Sequence, residues 1–168
     1  MKLFTLTLGM VAALALLPLS SQAQTVNKGA ASVAGTVGFS VVSGGGSSLA
    51  VIDISPTAGF YVADDFALGL GLGFNTIIGE GNSITVATLT PFVRWYFATA
   101  PLFLEANAGI AIVDDFTTGS FGANFGYSFF ANQNVAFEPQ LFFQATTEST
   151  TTFGVAMGIT AFLGRNIE

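Results

Sequence analysis

Three charged side chains stand out for the chemistry they could do. Arg94, Glu105 and Glu138 belong to a chain of 168 residues in which Asp, Glu, Lys and Arg make up only 8% of positions. A guanidinium and two carboxylates brought together away from water form either an ion-pair network or a polar path for ions, and two carboxylates alone can act as general acid and base. Nothing else supports that last use. The chain has no histidine and no cysteine, which removes Ser-His and Cys-His nucleophilic dyads, ordinary zinc sites and the usual proton carrier near neutral pH. No enzyme activity, cofactor or metal site is therefore expected.

Whether the three charges meet depends on the elements that carry them. In the stretch from Asp53 to Thr76, the residues Phe66, Leu68, Leu70, Leu72 and Phe74 fall on one parity, and Ala67, Gly69, Gly71, Gly73 and Asn75 on the other. A period of two is a strand. Ahead of it, Ile52, Ile54, Pro56, Ala58, Phe60 and Val62 alternate with Asp53, Ser55, Thr57, Gly59 and Tyr61. A tight turn at Ala63, Asp64 and Asp65 joins the two, its carboxylates read as solvated.

Alternation does not say which face is outside, but charge does. A water-exposed surface carries charge on roughly a quarter to a third of its positions, and the polar phase of Phe66 to Asn75 carries none. That phase suits a crowded interior, with leucine and phenylalanine facing hydrocarbon.

The same reading predicts strands at 33–41, 49–62, 66–76, 84–97, 101–113, 120–130, 135–145 and 152–163. Residues Phe121, Ala123, Phe125, Tyr127 and Phe129 of the sixth are expected outward. Arg94, Glu105 and Glu138 fall on the inward phase of the fourth, fifth and seventh strands, each about 5 to 6 residues from the nearest of the turns at 63–65, 98–100 and 131–134. They are therefore expected at one depth, with Arg94 and Glu105 opposed across a hairpin. The other four connections, at 43–48, 77–82, 114–119 and 146–151, read as loops of about 6 residues. Short turns belong on the periplasmic side and longer loops outside, so both termini are expected in the periplasm. Phe60, Trp95, Phe97 and Phe129 would form an interfacial girdle near the short turns.

Residues 1–23 read as a cleaved signal peptide, with Lys2, an apolar run from Leu3 to Leu17 and a small-x-small site at Ser21 to Ala23. Residues 24–168 form one domain. Within it, Lys28, Arg94 and Arg165 stand against ten acidic residues, so nucleic acid is not a partner. Without cysteine there is neither a disulfide framework nor a lipidated N-terminus. The run from Phe116 to Phe137, with Gly, Asn, Ser and Gln every second or third place, does not read as a spanning helix. A closed barrel is then the membrane-compatible fold.

The run from Ile54 to Leu70, ISPTAGFYVADDFALGL, followed by Pro91 to Phe97, PFVRWYF, resembles the small outer-membrane β-barrel family of OmpX-like and OmpA-type domains. Its members commonly end on an aromatic residue, whereas here Phe162 is followed by six more residues. The resemblance implies an all-β, eight-stranded antiparallel up-and-down transmembrane β-barrel in the outer membrane of a Gram-negative cell envelope.

The expected role is structural or surface-interacting, with the interior filled by side chains. One alternative is a narrow porin-like path lined by Arg94, Glu105 and Glu138; another is a soluble secreted lipocalin-like binder with an oily cavity. The expected partners are membrane lipid, lipopolysaccharide and the outer-membrane insertion machinery, and the protein is expected to be a monomer. Glu80, Asp114, Asp115 and Glu148 read as solvated loop carboxylates, with a divalent-ion or lipopolysaccharide bridge as the alternative.

Overall fold

A computed structural model describes residues 25–164 apart from 45–46, 80–81, 99 and 114–115; side chains at 41–50, 77–84 and 112–116 also lie outside the description. The proposed signal peptide and the tail beyond Gly164 fall outside it. Strand-forming alternation runs through nine elements: β1 (Ala31–Gly44), β2 (Ser47–Ala63), β3 (Phe66–Gly79), β4 (Asn82–Tyr96), β5 (Leu102–Val113), β6 (Phe116–Tyr127), β7 (Phe129–Phe130), β8 (Val135–Thr146) and β9 (Thr151–Leu163). Each pairs antiparallel with its sequence neighbour, except that β6 pairs with β8 past the short β7, and β9 closes on β1. The result is an up-and-down barrel of eight staves, β6 and β7 together making one.

The stagger of the closed sheet can be followed residue by residue. Ser32 pairs with Gly59, then in turn come Gly69, Phe92, Asn107, Gly122, Gln144 and Thr152, and the last pairs with Val42 back on β1. One circuit therefore returns ten residues further along the starting strand. Such a stagger goes with strands tilted by roughly 35–45° and a bore about wide enough for side chains.

The apolar phase faces out. Leu68, Leu70 and Leu72 are 45%, 48% and 50% exposed, while Ala67 and Gly71 on the opposite phase are buried. The lipocalin-like alternative needs the opposite arrangement. Phe60 and Trp95 also point outward near the turns, and Trp95 stacks on Phe97 with ring centroids 5.1 Å apart.

Three interruptions of the ladder coincide with three prolines. The β2–β3 ladder skips Ser55 and Pro56, the β4–β5 ladder skips Thr90 and Pro91, and the ladder from β6 and β7 to β8 skips Glu138 and Pro139. Proline has no N–H to give. Each pairs instead on its other side, with Gly35, Leu70 and Met157. Opposite Pro139, the sixth stave breaks between Tyr127 and Phe129. Tyr127, expected outward and exposed, is only 8% exposed, its ring 4.3 Å from that of Phe129.

Two further expectations are corrected. The loops expected at 43–48, 77–82 and 114–119 are largely strand: Gly44 pairs with Ser47, Gly79 with Asn82 and Val113 with Phe116. Backbone pairing continues past the point where the hydrophobic alternation weakens, because a ladder needs only N–H and C=O groups. The connections at that end are thus as short as those at the other, and loop length no longer orients the barrel.

Asp65, read as solvated, is buried. It sits in the left-handed region (φ 60°), and its carboxylate accepts a hydrogen bond of 2.8 Å from the backbone N–H of Val26. Its own N–H donates to the Val26 carbonyl at 2.8 Å, while Asp64 accepts from the N–H of Lys28 at 2.7 Å. Residues 25–30 are thereby latched under the barrel, and Val26 and Ala30 lose all exposure. Asp65→Ala is expected to destabilise the fold by about 1.5 kcal/mol through the lost charged hydrogen bond. Urea titration, with proteolysis at Lys28 as a local probe, checks it.

Candidate functional site

The lumen has three tiers, each made by the inward phase of neighbouring strands. At the latched end, Tyr61, Tyr96, Phe103 and Phe162 pack with Ala67, Ala136, Val26 and Ala30. Ring centroids lie 6.2 Å apart for Tyr61 and Phe162, and 5.6 Å for Tyr96 and Phe103. This tier closes the bore.

The charged tier lies directly above it. Arg94 on β4 faces Glu105 on β5 as a register pair, and Glu138 reaches them from β8. The structure thus brings together all three residues singled out by sequence. Arg94 Nε donates to Glu105 Oε2 at 2.8 Å and Nη2 lies 2.7 Å from the same oxygen. Arg94 Nη1 donates to Glu138 Oε2 at 2.9 Å. Glu138 also accepts from the hydroxyls of Tyr96 (2.8 Å), Ser128 (2.7 Å) and Thr160 (2.7 Å). Glu105 takes a further bond from Asn124 Nδ2 at 2.7 Å.

The guanidinium also lies over the Phe103 ring, 4.5 Å from its centroid. Exposure is 7% for Arg94, 6% for Glu105 and 2% for Glu138. Every carboxylate oxygen of the tier has a hydrogen-bond partner, so the arrangement suits a structural brace.

Tyr96, Ser128, Thr160 and Asn124 were not singled out by sequence. Inward parity was their only available signal, since which hydroxyl meets Glu138 depends on the stagger.

Above the charged tier the barrel is not filled. A cavity of about 420 Å³ extends upward from Arg94 and Glu105, past Gln140 and Asp53, to Thr150 and Glu148. The expectation of a side-chain-filled interior therefore holds only for the closed end. Several inward positions higher up are small: Gly71, Gly73 and Ala156 among hydroxyl-bearing residues such as Thr36 and Ser40.

The large inward rings spend their bulk against opposing glycines. Phe92 is paired with Gly69, Phe103 with Gly126 and Phe142 with Gly154. A Cβ on Gly154 would stand 2.7 Å from the Phe39 carbonyl as well as against the Phe142 ring.

Of the loop carboxylates, Glu148 is exposed at the cavity mouth, while Glu80, Asp114 and Asp115 lie outside the described residues. Among the described residues no three Asp, Glu, His or Cys converge on a point that could hold a metal ion.

No protein-family model and no curated relative matches the sequence. Solved structures do resemble it. Neisserial surface protein A aligns over 80% of this chain and 99% of its own, with a TM-score of 0.68 at 13% identity. The chain has the fold of the small outer-membrane β-barrels. A de novo designed transmembrane β-barrel aligns over 82% of this chain and 98% of its own (TM-score 0.53, 19% identity). The N-terminal barrel domain of Pseudomonas aeruginosa OprF aligns over 81% and 98% (TM-score 0.52, 13% identity). A designed barrel among the neighbours underlines that the likeness is one of architecture, an all-β closed antiparallel barrel with its oily face outward.

Proposed function

We propose that this chain is an integral outer-membrane barrel of a Gram-negative envelope, with a structural or surface-interacting role and neither catalysis nor conduction. The outward apolar phase and a fold shared with outer-membrane barrels support the location. The observation that carries the role is the closed end: an aromatic plug, a latched N-terminal segment and the braced Arg94, Glu105 and Glu138 lie in series across the bore. A narrow porin-like path through Arg94 would have to break all three.

Both termini belong on the periplasmic side in this reading. A chain exported behind residues 1–23 arrives from the periplasm, and an even number of staves returns its end there. Its partners are membrane lipid and lipopolysaccharide, with assembly by the insertion machinery as a monomer; no nucleic acid is involved.

Planar-bilayer recording on the heat-modifiable, refolded protein is the direct test. No single-channel steps above bare lipid are expected. Discrete steps abolished or altered by Arg94→Ala would establish the porin-like alternative instead.

A further inference from the structure

Above the brace the bore opens into a cup closed from below, and its walls are of two kinds. The cavity of about 420 Å³ falls within the range of about 300–1,000 Å³ usual for small-molecule sites. One wall is aromatic. Phe142 on β8 lies over bare backbone on the next two staves: its Cε1 stands 2.6 Å from where a Cβ on Gly154 would be and 3.5 Å from the same point on Gly38. The ring is half-buried and lines the cavity, so the part not laid against the glycines is turned to the lumen.

The facing wall is polar. Eight staves close the sheet, so β4 stands four staves from β9 in either direction, and β5 four from β1. The side chains across from the Phe142 ring are therefore those of β4 and β5. Depth agrees: Phe142 lies four residues up β8 from Glu138, and Thr90 four residues up β4 from Arg94, the two charges that meet in the brace. Asn107 is two residues up β5 from Glu105.

Thr88, Thr90 and Asn107 line the cavity there, each half-buried. Glycines on neighbouring strands let them lie back against the wall: Thr90 Oγ1 is 3.0 Å from a Cβ position on Gly109, and Asn107 Oδ1 is 3.0 Å from one on Gly122. The cup's own side-chain hydrogen bonds run elsewhere, from Gln144 to Ser120, from Asn124 to Glu105 and from Ser55 to Asp53. An amide and two hydroxyls outside that network thus face an aromatic ring across the bore.

We propose that the cup binds a neutral hexopyranose, its apolar face stacked on Phe142 and its hydroxyl edge bonded to Asn107, Thr90 and Thr88. An aromatic ring set against neutral donors and acceptors matches a sugar, which carries C–H bonds on its faces and hydroxyls around its edge. An acidic sugar would meet Asp53 and Glu148 on the cavity lining, while Arg94 is committed to Glu105, Glu138 and Tyr96. A hydrocarbon chain would strip water from the amide and hydroxyls and return no hydrogen bond. The site lies within the lumen, so it goes beyond the structural role and stands whether or not the protein conducts.

An NMR titration of the refolded barrel tests it, with glucose as the probe, in micelles of a polyoxyethylene detergent that carries no sugar. Wild type is expected to show saturable shifts at the Asn107 side-chain amide and the Phe142 ring, with the glucose C–H protons moved upfield by the ring current. Glucuronate should bind more weakly. Asn107→Ala removes the amide and should weaken glucose by roughly fivefold, the scale of one or two hydrogen bonds. Phe142→Leu should weaken it by a similar factor, roughly fivefold, and abolish the upfield movement. Heat-modifiable migration confirms which variants fold. The proposal is overturned by absence of saturable shifts in folded wild type, by glucuronate binding as well as glucose, or by undiminished affinity in either folded variant. It is overturned equally if hexanol gives the same shifts at lower concentration, which would mark a site for hydrocarbon chains.

Discussion

Arg94→Ala is expected to cost about 3–5 kcal/mol of folding stability, the largest effect of any single truncation in the lumen. The reason is what it leaves behind. Without the guanidinium, Glu105 and Glu138 remain buried and close together with no positive charge, and breaking a buried pair by removing one partner carries this penalty. The companion variant Arg94→Met, Glu105→Gln, Glu138→Gln discharges the whole tier and keeps its volume. It should recover most of the loss, since replacing all members of a buried ionic network is often close to neutral. Urea unfolding of the refolded proteins in lipid vesicles, followed by Trp95 fluorescence, measures both. Equal instability in the two variants would show that the hydroxyl partners of Glu138, and not charge balance, hold the tier together.

The second large effect is on the opposite face. Leu70 points outward in the body of its strand, 48% exposed and paired with Ala58 and Pro91. If that face meets hydrocarbon, Leu70→Arg should cost about 2–4 kcal/mol, against roughly 0–1 kcal/mol for Val62→Arg beside the turn, where the side chain reaches the interface. The contrast is the informative quantity, because an outward surface bathed in water would tolerate both substitutions alike. The same vesicle unfolding assay reads it, and a Leu70→Arg cost no larger than that of Val62→Arg would contradict the membrane-facing assignment.

A good deal of this architecture was legible in the chain itself. The alternation of Leu68, Leu70 and Leu72 with Gly69, Gly71 and Gly73 determined which side chains share a face, because strand parity is a local property of successive residues. The scarcity of charge on the small-residue face determined that it would be inside. Arg94 and Glu105 were readable as partners since a short hairpin fixes their register by counting alone. Glu138, 44 residues from Arg94, was placed at the same depth by its distance from a turn.

Other features waited for the closed sheet. The sequence does not state the stagger, and the ten-residue offset around the barrel decides which glycine faces Phe142, which hydroxyls reach Glu138 and where a cavity is left. Asp65 looked like a surface turn residue because its partner, Val26, lies 39 residues away. Strands that run on through the expected outer loops escaped notice for a related reason: backbone pairing leaves no mark in side-chain hydropathy. Local pattern, then, assigned each residue to an inner or an outer face, and only closure of the barrel decided which inner residues meet.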